Sequence, residues 1–166
     1  QNVQYPLHFG YKTALEIENK LTLLFNLANY LQQVILQFKK PVKFEKEDQW
    51  LLSKLNSLIE DVTSDLENLK PHIATKKIED FFTVHLSRTY IQIVRERMQT
   101  DSGRNKDAAI FTLYNSLLTI LKLLAPFTPF LTEYIYQENF RKREKKESIH
   151  LFEWPKAEKR YIKKAI

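Results

Sequence analysis

The stretch from Ala108 to Gln137, AAIFTLYNSLLTILKLLAPFTPFLTEYIYQ, constrains the fold of this chain more than any other. It is an apolar run of helix formers, stopped by Pro126 and Pro129 and restarted at once. Neither proline carries the amide hydrogen that a continuing helix needs, whereas the first position of a new helix leaves that donor unused. The segment therefore predicts a helix ending near Ala125, a corner, and a short helix from Pro129 to about Phe140.

The same logic extends along the chain. Thr13-Ala14-Leu15-Glu16 has the spacing of a capping box, so a first helix is expected to begin there. It continues through Ile17, Leu21, Leu24, Phe25, Ala28, Leu31 and Ile35, three and four residues apart as one helical face requires, and ends at Pro41. A second helix runs from about Asp48 to Leu69 and buries Leu51, Leu55, Leu58, Ile59, Val62 and Leu66. A third opens at Pro71 and reaches towards Met98 before the polar turn Asp101–Asn105, and a fourth starts at about Lys106. Long helices joined by short turns pack as an all-α bundle, here of four to five helices. After them Ser148–Pro155, SIHLFEWP, alternates as a short extended segment that returns Ile149, Leu151 or Trp154 to the bundle. The expected division is a helical bundle over 1–140, then a basic linker and extended segment over 141–166.

Composition excludes several functions. A chain of 166 residues, 43% hydrophobic, can bury one core. It has no cysteine, hence no disulfide framework or thiolate zinc site, and a cytoplasmic location is expected. The opening QNVQYPLHFGYK lacks both an initiating methionine and a signal pattern, so the chain reads as a piece of a longer one with more sequence upstream. No membrane span is expected, because the apolar stretch Leu117–Ala125 is broken by Thr119 and Lys122 and is far shorter than the roughly 20 residues needed. With Gly10 and Gly103 as the two glycines, neither a P-loop nor a dinucleotide fingerprint can be built. His8, His72, His85 and His150 lack metal-ligand spacing, and His85 reads as a hydrogen-bonded core histidine. Neighbouring carboxylates such as Glu60-Asp61 and Glu79-Asp80 diverge around their helices, so no catalytic residue, metal or bound cofactor is predicted.

Charge is informative by position. Residues 1–140 hold 16 Lys plus Arg against 16 Asp plus Glu, and residues 141–166 hold 10 against 4, which together give the 26, the 20 and the net +6. The densest cluster is Arg141, Lys142, Arg143, Lys145 and Lys146. On the third helix, a step of about 100° per residue places Lys77, Arg88 and Arg95 in one narrow stripe, with Tyr90 and Arg97 together on the other flank. Guanidinium and aromatic groups so arranged can grip phosphates and stack on unpaired bases. The same residues can equally pair with nearby acids or pack.

Three blocks resemble a known family. Asp48-Gln49-Trp50 opens the second helix, with glutamine where the family has arginine. His85-Leu86-Ser87-Arg88-Thr89-Tyr90, followed by Arg95 and Arg97, is similar to its Leu-Ser-Arg-Trp-Tyr stretch, with Thr89 in place of tryptophan. The alanine-proline corner and HLFEWP complete the pattern. Together they resemble the anticodon-binding helical domain of class I aminoacyl-tRNA synthetases of the isoleucine, valine and leucine group, the isoleucine enzyme most of all. The resemblance implies a module that docks on the anticodon stem and loop of tRNA, joined to an upstream catalytic domain that uses ATP and magnesium. Carried onto matching positions, it names Arg88, Tyr90, Arg95 and Arg97 as tRNA contacts. Lys54, Lys106 and the Arg141, Lys142 and Arg143 run are further cationic candidates. A helical protein-interaction scaffold is the competing reading.

Overall fold

A computed structural model describes residues 10–35, 41, 43–99, 105–159 and 161. Helix α1 spans Tyr11–Val34 and α2 spans Lys46–Glu67. The third helix, α3, is one continuous rod in three parts: Pro71–Asp80, a wider-wound Phe81–Ile91, and Gln92–Gln99. Then come α4 (Lys106–Leu124), α5 (Pro129–Asn139), the single turn α6 (Arg141–Glu144) and a 3₁₀ turn at Ile149–Leu151. Among the described residues there is no strand.

Helix α4 is the axis of the bundle and packs against α1, α2, α3 and α5. Its buried residues, from Ala108 and Ile110 through Leu113, Leu117 and Ile120 to Leu121 and Leu124, face every direction, as expected of a helix wrapped on all sides. By length and composition α4 could cross a membrane, yet 78% of its apolar window lies inside the bundle. The predicted corner forms as expected. The amides of Phe127 and Thr128 both donate to the Leu124 carbonyl at 2.9 Å, and Pro129 opens α5.

Two helix ends depart from expectation. The capping box at Thr13 does not form: α1 begins at Tyr11 behind Gly10, with no side-chain cap, and Leu15 and Ile17 of its first turns are exposed. The bundle covers α1 only from about Leu24 onwards, and the segment before Pro41 lies outside the described residues, as do 101–104 of the expected polar turn. The reciprocal box sits instead on α2. There the Glu45 carboxylate accepts from the amide of Asp48, and Asp48 Oδ2 accepts from the amide of Glu45 at 3.0 Å. At its other end α2 closes with Lys70 N donating to Asp65 O and Leu69 N to Leu66 O, the paired bonds that usually require glycine at the left-handed position. Leu69 holds that position with φ 56° and is 86% exposed.

The wide part of α3 follows from its apolar spacing. Ile78, Phe82, Leu86, Tyr90, Val94 and Met98 recur at every fourth residue, and all six are buried. In an α-helix each step of four overshoots a full turn by about 40°, so five steps would carry the last of them about 200° round the rod. Winding Phe81–Ile91 with i→i+5 bonds puts more residues in each turn and keeps the row on one side.

Candidate nucleic-acid interface

The buried row carries Tyr90 into the core, against the sequence expectation. Its side chain is 0% exposed, and its hydroxyl donates to Asp48 Oδ1 at 2.6 Å. Burial, reinforced by the Asp48 charge, pushes the phenol well above its ordinary range. A ring without exposed surface cannot stack on a base, so the outward-facing tyrosine is corrected to a core residue. Arg97 joins it as structure: Nη1 donates to Glu47 at 3.1 Å and Nη2 to Asp48 Oδ1. Asp48 itself is 0% exposed. One carboxylate thus caps α2, holds the Tyr90 hydroxyl and neutralises Arg97, while Asn105 at the head of α4 donates to Glu45 of the same box. Three helix ends meet on two acids.

The stripe expected on α3 is also corrected. Lys77 turns towards α2, with Asp65 at 2.7 Å and Asp61 at 4.0 Å. Arg95 lies on the α1 side, where its charge counters the upward push of burial on the Tyr30 hydroxyl. The 100° step fails because eleven residues between Lys77 and Arg95 are wound more widely. Arg88 and Arg95 are both exposed and form no ion pair among the described residues. They remain available to a ligand.

Lys54, also exposed, borders a cleft of about 240 Å³ between α2 and α3 with Ser57, Asp61, Lys77, Asp80 and His85. His85 stands edge-on to Trp50 at 5.7 Å and to Phe81 at 6.0 Å, so aromatic packing replaces the hydrogen-bonded setting predicted for it. Partial burial, then the Lys54 charge, hold its pKa below 6.5, with Asp80 opposing. Gln49, where the family pattern has arginine, donates to the Phe44 carbonyl at 2.9 Å. Lys106, half-buried, follows Asn105 into α4. The Arg141, Lys142 and Arg143 run forms the exposed turn α6, ordered by Tyr114, whose hydroxyl donates to Glu144 Oε1 at 2.6 Å. These cations stand by α4 and α5, apart from the α3 arginines.

The chain end is a strap along α2. Ile149 is buried, Trp154 Nε1 donates to Thr63 Oγ1 at 2.8 Å, and the amide of Glu158 donates to Asn56 Oδ1 at 2.7 Å. Tyr161 then meets Phe44 edge-on. Leu151 is 60% exposed, so of the three apolar residues predicted to return it is the one that does not.

Comparison with known proteins settles the kinship. Residues 48–166 match the family described as the anticodon-binding domain of tRNA ligase. This chain belongs to that family. Isoleucine–tRNA ligases of Thermococcus kodakarensis and Methanothrix thermoacetophila are each 35% identical to it, over 94% and 90% of its length, and the chain spans 16% and 15% of theirs. Valine–tRNA ligase of Thermococcus kodakarensis is 32% identical over 80% of the chain. A LeuRS from Agrobacterium radiobacter, solved in a ternary complex with tRNA and LeuAMS, superposes with a TM-score of 0.63 over 95% of the chain at 20% identity, and so shares the fold. The chain spans 18% of that protein.

For the domain, sequence reasoning missed Glu45, Glu47 and Asn105, which order the α2 end. The four-residue comb in α3 was the legible signal for Tyr90: a period of four across 20 residues demands a wider helix and puts the tyrosine in the apolar row. No sequence pattern announced that Asp48 would serve three partners.

Proposed function

We propose that this chain is the tRNA-gripping segment of an isoleucine–tRNA ligase, holding the anticodon stem and loop while a catalytic portion elsewhere in the same polypeptide joins amino acid to tRNA. The identity to isoleucine ligases over almost the whole chain carries this reading. The site side of it rests on Arg88 and Arg95, both exposed on α3, with Lys54, Lys106 and the Arg141, Lys142 and Arg143 turn as additional phosphate contacts. Tyr90 and Arg97 act behind this surface as positioning residues. They fix the rod that presents it.

The segment itself carries no catalytic role in this reading. ATP and magnesium belong to the catalytic portion, since two glycines supply no phosphate loop here. A valine ligase is the second reading, favoured by the 32% identity over 80% of the chain.

The test is titration with tRNA across a salt series. Affinity falls steeply as salt rises, because each neutralised phosphate releases counterions. Arg88→Ala and Arg95→Ala each weaken binding by about 1–3 kcal/mol where a bidentate contact is lost. Equal affinity for tRNA and for a generic duplex of the same charge would overturn recognition. Charging assays on the longer polypeptide with isoleucine, valine and leucine then assign the amino acid.

A further inference from the structure

The SIHLFEWP segment does more than close the bundle. It is pinned on one side by Glu133, whose Oε2 accepts from Ser148 Oγ at 2.8 Å and from the Ile149 amide at 3.0 Å, and on the other by the Trp154–Thr63 bond. Between these pins lies a cleft of about 190 Å³, bordered by Lys122, Pro126, His150, Phe152, Trp154 and Pro155. That is the scale of one flat ring and not of a folded helix.

Its charge is unusual. Lys122 is the one basic residue of α4 beyond its first position, and its Nζ stands 4.2 Å from the centre of the Phe152 ring. Lys146 Nζ stands 4.5 Å from the same centre and donates to the Leu151 carbonyl at 3.2 Å. Two ammonium groups therefore converge on one phenyl ring, and among the described residues neither has an ion pair. Burial and the Lys146 charge depress the Lys122 ammonium, with Glu144 opposing. The Glu144 carboxylate is engaged by Tyr114, and Glu153, at the cleft mouth, is exposed.

This corner is continuous with the basic turn. Lys146 also borders a second cleft with Arg141, Lys142 and Lys145, opposed by Glu138 and Glu147. A cationic track thus leads to an aromatic-walled recess, the combination that holds unpaired nucleotides: charge follows the backbone while flat side chains take a base.

We propose that the recess bordered by Lys122, Phe152 and Trp154, with Lys146 beside it on the Phe152 ring, takes one unstacked nucleotide of the bound RNA, its base against the Trp154 wall and its phosphate on the two lysines. The proposal rests on the RNA-binding reading above and adds a contact that none of the α3 residues can make.

The test uses tRNA and Trp154 as a reporter. In a Trp50→Phe background Trp154 is the single tryptophan, and its emission is quenched in step with tRNA binding. Lys122→Met and Lys146→Met, which keep the aliphatic packing on Phe152, each lower affinity roughly threefold at moderate salt and reduce the salt slope by about one. Their circular dichroism and melting stay at the parent values, separating lost contact from lost fold. If tRNA binds, responds to Arg88→Ala and Arg95→Ala, and leaves both Trp154 emission and the two methionine variants unchanged, the recess is overturned while the RNA-binding reading stands. Absence of any tRNA binding overturns both.

Discussion

Replacing Asp48 by alanine removes a single carboxylate that three groups depend on, and its cost can be worked from the contacts. The pair with Arg97 is fully buried on the acid side and 15% exposed on the arginine side. Breaking such a pair leaves Arg97 with Glu47 as its remaining acidic partner and costs up to about 3–5 kcal/mol. The Tyr90 hydroxyl, with Ala109 O at 3.4 Å as its remaining acceptor, and the freed Glu45 amide draw on the same event, so their losses do not simply add. A total of about 4 kcal/mol lowers the melting temperature of a chain this size by about 8–16 °C. Urea unfolding followed by circular dichroism measures it, with the slope m unchanged if the folded state is still compact. The decisive step is the double variant. Because Arg97→Met removes a charge that Glu47 alone would then balance, Asp48→Ala/Arg97→Met recovers part of the loss. A cost below about 1 kcal/mol for Asp48→Ala, or a double variant no more stable than the single, would show that the acid does not join α2 to α3.

Other outcomes follow from single features. Leu69→Gly raises stability by about 1 kcal/mol, because an exposed leucine in the left-handed region pays a steric penalty that glycine avoids; a lower melting temperature would contradict it. His85 has a folded pKa below its unfolded value, so the unfolded chain binds more protons in between. Its contribution is complete above about pH 6.5 and is lost as pH falls through the folded pKa, and His85→Phe flattens that part of the stability profile. Tyr114→Phe deletes the bond to Glu144 and costs about 1.5–3 kcal/mol, the range for a hydrogen bond to a charged group, with amide exchange at Arg143 and Glu144 rising. Leu121→Ala, in the fully buried axis helix, costs about 2–5 kcal/mol by denaturant unfolding.

Helix order, the proline corner and the core of α2 were legible because each rests on local chemistry: a missing amide, a fixed φ, an apolar interval of three or four. The Thr13 box misled for the same reason. A capping pattern states only that a helix could start there, and the turn before it was equally able to wind. Tyr90 and Arg97 were misplaced by geometry rather than by residue type. A stacking tyrosine and a phosphate-binding arginine look the same in sequence as a buried hydroxyl and a neutralised guanidinium, and only the position of Asp48, some 40 residues earlier in the chain, separates them. The recess at Phe152 was unreadable in the chain, since Lys122 and Lys146 meet there only after the corner and α5 have brought them together.

The loosely wound middle of α3 sets the phase for everything beyond it. Were Phe81–Ile91 to tighten to ordinary pitch, or lose one residue, the far end would swing by about 100° per residue removed, and Arg97 would no longer point at its acid. Tolerance of length change should therefore be lowest in the centre of this rod, where the side chains facing solvent look most dispensable. Its elbow room is angular, not lateral.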